Sequence, residues 1–321
     1  MTPTTCAVEL DAWAMAHAAA KTIGTFDATR PARFSLGAAG RLCPLSPDDP
    51  GAVLVWNPVC GWEPALAADD PHRDLLELYL PISSATAARP ITIGHLGQSL
   101  DGFIATASGD SCNVTGPENI LHLHRLRALC DVVVVGAGTV TADNPRLTTR
   151  LVSGTNPVRV ILDPECRLPP GHNVFNDREA VTLRACAADN AASARARARG
   201  EKIVEVAAHG HALDLKDLLH QLHARGYYRI FVEGGGVTVS SFLEAGLLDR
   251  LHIAVAPLLI GEGRPTIRMP PRLRLQDCLR LHHRVYRAGN DVLFDCDLRA
   301  GAEVQSDGRE APSSITVKRV L

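Results

Sequence analysis

Three features of the sequence predict an α/β protein with a mainly parallel sheet flanked by helices, preceded by a small N-terminal extension or domain. From Pro90 onward, strand-like and helix-like apolar patterns alternate, as they do when helices cross between parallel strands. The buried-strand run Ile230, Phe231, Val232 passes through Glu233 into Gly234–Gly236 and then into a helical pattern, Val237–Leu247. Such a turn lets backbone approach an anion and points free N–H groups at it. Residues 1–88 lack this alternation and hold all the tryptophans, Trp13, Trp56 and Trp62.

In the N-terminal region, Ala7–Lys21 reads as a helix, Ala32–Leu36 and Ala52–Trp56 as short strands, and His72–Leu80 as a second helix. Pro47–Gly51 has turn chemistry. No catalytic motif attaches to this region, and its tryptophans read as packing anchors. Ser83–Pro90 reads as a linker. Ile91–Leu96 is then a strand entering the turn Gln98–Gly102, followed by a helix over Pro117–Leu129 and a strand over Val132–Val135. Further strands are expected at Val158–Leu162, Ala180–Leu183 and Lys202–Val206, with an Arg-rich surface helix at Ala188–Gly200 and an amphipathic helix at Leu213–Ala224. Asp249–Ile260 alternates like a half-buried strand. Gly261–Pro265 reads as a loop, and Leu279–Arg287 with Asp291–Leu298 as a closing hairpin. Residues 300–321 read as a polar, mobile tail.

Composition narrows the function. The chain has 321 residues, 46% hydrophobic and 21% charged, enough for a large core. A net charge of −2 and an aromatic content of 4% argue against nucleic-acid binding. No basic segment followed by an apolar run opens the chain, and no apolar stretch approaches the length of a membrane span. A soluble, reducing, cytoplasmic setting is therefore expected. The nine cysteines are scattered without a C-x-x-C, which predicts neither a zinc site nor a redox pair. The histidine pairs His122/His124, His209/His211 and His282/His283 lack a third ligand at metal spacing, so no metal is expected.

Four loops follow predicted strands: 97–102, 136–147, 163–168 and 233–238. In open α/β sheets such loops converge beyond the strand carboxyl ends, where ligands bind. They and their neighbours carry Ser99, Asp101, Ser111, Thr139, Asp143, Glu233 and the glycines. Arg127 and Arg150 lie close by, and a guanidinium fork matches phosphate oxygens.

The succession of Ser99-Leu-Asp-Gly102, Ser111-x-x-x-Thr115-Gly116, His124-Arg-Leu-Arg127, Val135-Gly-Ala-Gly-Thr-Val140, Ala142-Asp-Asn-Pro-Arg-Leu-Thr148, Arg159-Val-Ile-Leu-Asp163 and Val232-Glu-Gly-Gly-Gly236 resembles the reductase domain of riboflavin biosynthesis, the RibD C-terminal family. The resemblance covers about Pro90–Leu298 and implies a dihydrofolate-reductase-like fold and a homodimer. It also implies NADPH-dependent reduction of the ribose of a phosphoribosylamino-pyrimidine. Thr139, Asp143 and Gly235, Gly236, Val237, Thr238, Val239, Ser240 and Ser241 match positions that touch the dinucleotide. Ser111, Arg127, Leu147, Arg150 and Glu233 match positions that hold the phosphorylated substrate. Hydride chemistry belongs to the cofactor, so no side chain is assigned as general acid or base.

Several positions depart from the family pattern. His95 stands where Lys is usual, Asn113 where a large aromatic is common, and Asn144 where a second Asp is usual. Pro164 stands where a hydroxyl often meets the 2′-phosphate, which leaves NADH open as an alternative donor; Arg167 is a candidate compensation. Residues 1–88 contain no His-Ala-Glu and no Pro-Cys-x-x-Cys, the ligands of the deaminase that often precedes this domain. Competing readings are a reductase of the same fold acting on another pterin- or pyrimidine-like substrate, and a binding module without turnover.

Overall fold

The computed structural model describes residues 11–37, 40–112, 114–188 and 191–299. The first residues of the first expected helix, Asn113 and the expected tail 300–321 lie outside the described residues.

The N-terminal unit is a helix, a four-stranded antiparallel sheet and a second helix: α1 (Ala12–Thr22), β1 (Ala32–Leu36), β2 (Leu42–Leu45), β3 (Leu54–Asn57), β4 (Gly61–Pro64) and α2 (Arg73–Ser83). Asp11 caps α1 by accepting the Trp13 N–H. The sequence reading lacks β2 and β4, whose few residues include Pro44 and Pro64. Phe26, Phe34, Trp56 and Trp62 pack edge-on around one another, with centroids 5.0–5.6 Å apart.

The remainder runs β5 (Ile91–Ser99), β6 (Phe103–Thr106), α3 (Pro117–Leu129), β7 (Val132–Gly136), α4 (Ala137–Asp143), β8 (Val158–Leu162), α5 (Asn173–Asn176), β9 (Thr182–Ala187), α6 (Ala191–Ala198), β10 (Lys202–Val206), β11 (Ala208–His209), β12 (Ala212–Leu213), α7 (Leu215–Ala224), β13 (Arg229–Glu233), α8 (Gly236–Glu244), β14 (Arg250–Ala256), β15 (Gly263–Pro265), β16 (His282–Ala288) and β17 (Asp291–Asp297). Nine of these strands form one sheet in the order β10-β9-β8-β7-β13-β5-β14-β17-β16. All pairings from β10 to β14 are parallel, and β17 and β16 add antiparallel. The expected mainly parallel sheet flanked by helices is therefore present.

Alternation sorts the central strands onto two cores. Val133, Val135 and Phe231 face a core shared with Met15, Phe34, Trp56, Leu76 and Tyr79 of the N-terminal unit. Val132, Val134, Ile230 and Val232 face the opposite core with Leu218, Leu222, Val239 and Phe242. The N-terminal unit thus completes one face of the sheet. Ser83–Pro90 is correspondingly no free linker: Ser83 and Ser84 are buried, and the Ser83 hydroxyl donates to the Ala16 carbonyl at 2.8 Å.

A polar seam crosses this face beneath α3. Register places Glu233 beside His95, His95 beside His252, and His252 beside Asp295. Tyr79 of α2 bonds His122 Nδ1 at 2.6 Å, His122 Nε2 bonds His252 Nδ1 at 3.0 Å, and His252 Nε2 bonds Asp295 Oδ1 at 3.1 Å. One set of tautomers satisfies every link: each Nε2–H donates, each Nδ1 accepts, and the carboxylate closes the chain. Arg250 closes on the same carboxylate through Nε and Nη2.

Cys166 and Cys186 form a disulfide, with Cα atoms 6.1 Å apart, where the sequence reading expects no redox pair and a reducing setting. The reason is topological: β8 and β9 are neighbours, so the loop leaving β8 lies beside β9. Among the described residues no helix is long and apolar enough to cross a membrane, and no group of His, Cys, Asp and Glu is arranged to hold a metal ion.

The seam gives a stability prediction. Asp295→Ala removes the buried carboxylate shared by Arg250 and His252 and is expected to cost about 3–5 kcal/mol in urea unfolding. Asp297→Ala removes only a half-exposed partner of Arg250, 3.5 Å away, and should cost at most about 1 kcal/mol. Equal costs would show that burial of the carboxylate does not matter.

Candidate active site

A cavity of about 740 Å³ opens at the carboxyl ends of β5, β7, β8 and β13, where the four expected loops meet. Two strand–glycine–helix turns form its floor. In the first, β7 ends at Gly136 and α4 begins; in the second, β13 ends at Glu233 and α8 begins after Gly235. The turns interlock. A Cβ on Gly136 would lie 2.6 Å from Thr238 Oγ1, and a Cβ on Gly235 would lie 2.7 Å from Thr139 Oγ1. Each glycine is faced by the other helix's threonine, and both threonines line the cavity.

The three consecutive glycines have different reasons. Gly234 (φ 66°) has open space where a Cβ would sit. Gly235 (φ 47°) combines left-handed backbone with the close Thr139 hydroxyl. Gly236 admits the chain at 263–266, because its Cβ would lie 2.3 Å from the Thr266 carbonyl oxygen.

Glu233 reaches the cavity from the end of β13, and Arg127 of α3 grips it with both arms of its guanidinium, the Nε–Oε2 distance being 2.7 Å. Arg127 also donates to the Thr148 carbonyl at 3.1 Å. The carboxylate is thereby fixed in place. On the opposite lip, the Ser111 hydroxyl donates to Asp143 Oδ1 at 3.3 Å. His95 sits in the wall, 3% exposed, with Nε2–H donating to Asn119 Oδ1 at 2.9 Å. Burial, reinforced by the neighbouring His252, pulls its pKa down to about 3. His122 behind it is driven well below the ordinary histidine value, first by burial. Where the family pattern has Lys, this chain therefore presents a neutral imidazole.

Of the residues singled out from the sequence, Ser111, Thr139, Asp143, Glu233, Gly235, Gly236, Val237, Thr238 and Ser241 all line this cavity. Val239 is in the core, and Ser240 is buried with its hydroxyl oxygen accepting the Arg268 N–H at 2.8 Å. Arg127, Leu147 and Arg150 are not part of the wall. Leu147 is buried at φ 56°. Arg150 is exposed, and its guanidinium donates to Thr148 Oγ1 at 2.7 Å. Ser99 and Asp101 serve the frame: Asp101 accepts N–H groups from Ile260 and Gly261 at 3.1 and 2.7 Å. Asp163 likewise shapes the β8 loop, accepting from Arg167, Leu168 and the buried Arg184. The sequence reading missed Asn119, Arg264 and Arg268, which also line the cavity, as does Thr115, quoted there only as part of a motif. Of these, only Asn119 lies on an element the sequence predicts, the helix Pro117–Leu129.

The fold and site define an α/β protein with an open cavity at the carboxyl ends of its parallel strands, floored by two glycine turns. Residues 90–294 match the RibD C-terminal domain, and the chain belongs to that family. It is 36% identical over 214 residues to the 2,5-diamino-6-ribosylamino-4(3H)-pyrimidinone 5′-phosphate reductase of Methanothermobacter thermautotrophicus, covering 64% of this chain and 97% of that protein. It is 35% identical over 179 residues to the riboflavin biosynthesis protein RibD of Aquifex aeolicus, covering 56% of this chain and 49% of that protein, about half its length. Among solved structures, RibD of Acinetobacter baumannii superposes with a TM-score of 0.57 at 26% identity, over 70% of this chain and 62% of that one.

The glycines separate experimentally. Gly235→Val should abolish dinucleotide binding in calorimetric titration with NADPH while the unfolding transition persists. Gly236→Ala should instead lower stability, by about 1–3 kcal/mol, as the 263–266 backbone is pushed away. Unchanged NADPH affinity in Gly235→Val would contradict the cradle.

Proposed function

We propose that this chain is a cytoplasmic NADPH-dependent reductase that converts the ribose of a phosphoribosylamino-pyrimidine to a ribityl chain in riboflavin biosynthesis. The carrying observation is the pair of interlocked glycine turns with Glu233 held beside them by Arg127. The names of the relatives, a pyrimidinone 5′-phosphate reductase and RibD, support the same substrate class.

The residues fit a dinucleotide. A side chain at 235 would fill the space beside Thr139, and the backbone at 234–236 leads into a helix start. Thr139, Thr238 and Ser241 supply hydroxyls along the same wall, and Asp143 closes the lip with Ser111. Bound there, reduced nicotinamide supplies a hydride. The chain's own work is orientation: Glu233 is held at the junction of cofactor and sugar, and Ser111 contacts the substrate. Arg150, exposed beside Thr148, takes the substrate's phosphate, while Arg127 acts through Glu233 and Leu147 shapes the turn between them. NADH is the alternative donor, because Pro164 lines the wall without a hydroxyl and Arg167 pairs with Glu165 at 3.2 Å.

A second reading, a reductase of the same fold on another pterin- or pyrimidine-like substrate, draws on the neutral His95 in the wall. The near-ultraviolet absorbance of reduced nicotinamide separates the two. Purified protein should consume NADPH on addition of the phosphoribosylamino-pyrimidine. NADPH binding with no turnover of that compound would favour the second reading, and no binding at all would refute both. Arg150→Ala should raise the substrate KM about tenfold and leave cofactor affinity unchanged.

We also propose a homodimer through the open sheet edge. β16 borders the sheet with exposed residues along its length, and Val285 on it and Val292 on the neighbouring β17 are exposed. Sedimentation should give a dimer, and Val285→Glu should shift it toward monomer; a wild-type monomer would refute this arrangement.

A further inference from the structure

The segment after β14 has a place in the site that its reading as a loop concealed. β15 pairs with β6, and the Thr266 N–H and hydroxyl both donate to the Gly102 carbonyl at 3.0 and 2.9 Å. The Arg268 N–H is tied to Ser240 of α8. Between these anchors the Pro265 and Thr266 carbonyls rest on Gly236, 2.9 and 2.3 Å from the point a Cβ would occupy. The segment is therefore a fixed strap across the first residue of α8.

Arg264 and Arg268 flank that contact, and both line the cavity. The Arg264 guanidinium lies over Gly109 on the cavity wall, Nη2 being 2.6 Å from that glycine's Cβ position. Among the described residues neither guanidinium makes a hydrogen bond or an ion pair, although nearly every other arginine near the site does. The acids on the wall are Asp143 and Glu233, and Glu233 is already neutralised by Arg127. The strap side of the cavity is therefore cationic and faces a helix start, itself electropositive. Two cations and a helix start around one space leave a phosphate-sized charge deficit.

We propose that Arg264 and Arg268 bind the dinucleotide pyrophosphate from the edge of the glycine cradle, so that the diphosphate lies in the cavity against the start of α8 and beside the strap. This rests on the dinucleotide reading of the site. It assigns the pyrophosphate two side-chain cations in addition to backbone N–H groups, and it explains why a segment so far along the chain is clamped onto Gly236. Guanidinium forks suit this task because each can engage two phosphate oxygens.

The test uses the full chain with Arg264→Gln, Arg268→Gln and the double variant, titrated calorimetrically with NADPH, NADH and ribose 5-phosphate. Both arginines are exposed, so the unfolding transitions should match wild type. Each single variant should weaken NADPH and NADH by the same factor, about tenfold, and leave ribose 5-phosphate unaffected. The salt dependence of dinucleotide binding should flatten in the double variant. Wild-type affinities in the variants would overturn the proposal. A loss confined to NADPH would move the arginines to the 2′-phosphate, and a loss confined to ribose 5-phosphate would move them to the substrate's phosphate; either overturns the pyrophosphate assignment. Wild-type protein that binds no dinucleotide refutes the underlying reading itself, a result distinct from variants that bind as wild type does.

Discussion

The site depends on two missing side chains. Helices α4 and α8 start side by side because Gly136 and Gly235 carry no Cβ, and each leaves room for the other turn's threonine. Any branched residue at either point would drive the two helix starts apart. Their convergence places Thr139 and Thr238 in one cavity and sets Glu233 at its edge. Gly236 extends the constraint in a third direction by admitting the strap. What looks in sequence like a loose glycine run is a tightly packed junction of two parallel-strand turns and a distant loop.

Behind this junction the polar seam links the site to the N-terminal unit. A sheet face normally buries apolar side chains, yet here Glu233, His95, His252 and Asp295 stand in successive strands. Such a row is stable only if each member is satisfied. Arg127 and Asn119 from α3 serve Glu233 and His95; His122 from α3 serves His252; Arg250 serves Asp295; Tyr79 from α2 terminates the line. The N-terminal unit therefore supplies both apolar cover and a polar terminus to the sheet that carries the site. At the outer end, α2 also provides Glu77, 3.2 Å from Arg284 of the edge strand.

The sequence made the parallel sheet legible where strands are buried on both faces, since runs such as Val132–Val135 and Ile230–Val232 have no other plausible fate. The helix Pro117–Leu129 was legible from its opening proline and its length. Elements that are short and held by distant partners were not: β6 and β15 exist because they pair with each other across more than a hundred residues. The β9 strand was placed a few residues early because Arg184, charged and 1% exposed, sits in its middle. Only the folded chain brings Asp163 and Glu201 to it. The same logic separates the site residues. Those on the glycine turns could be read locally. Arg264 and Arg268 could not, because their place in the cavity is set by contacts of Thr266 with Gly102 and of Arg268 with Ser240.

His95 shows how the seam constrains chemistry at the wall. An ammonium at this point would need an acid. Glu233 in the adjacent strand is already gripped by Arg127, and Asp295 is shared by Arg250 and His252. A second buried cation would then stand unpaired between two arginine-bound carboxylates, at the full cost of its lost hydration. A neutral imidazole avoids that cost: one N–H satisfies Asn119, and the ring packs 5.3 Å from His122. His95 and His122 are therefore held neutral chiefly by burial, with His252 beside them lowering both further. On the proposed reading, position 95 adds no positive charge for a phosphorylated ligand, and that charge is supplied by Arg150 and the strap arginines.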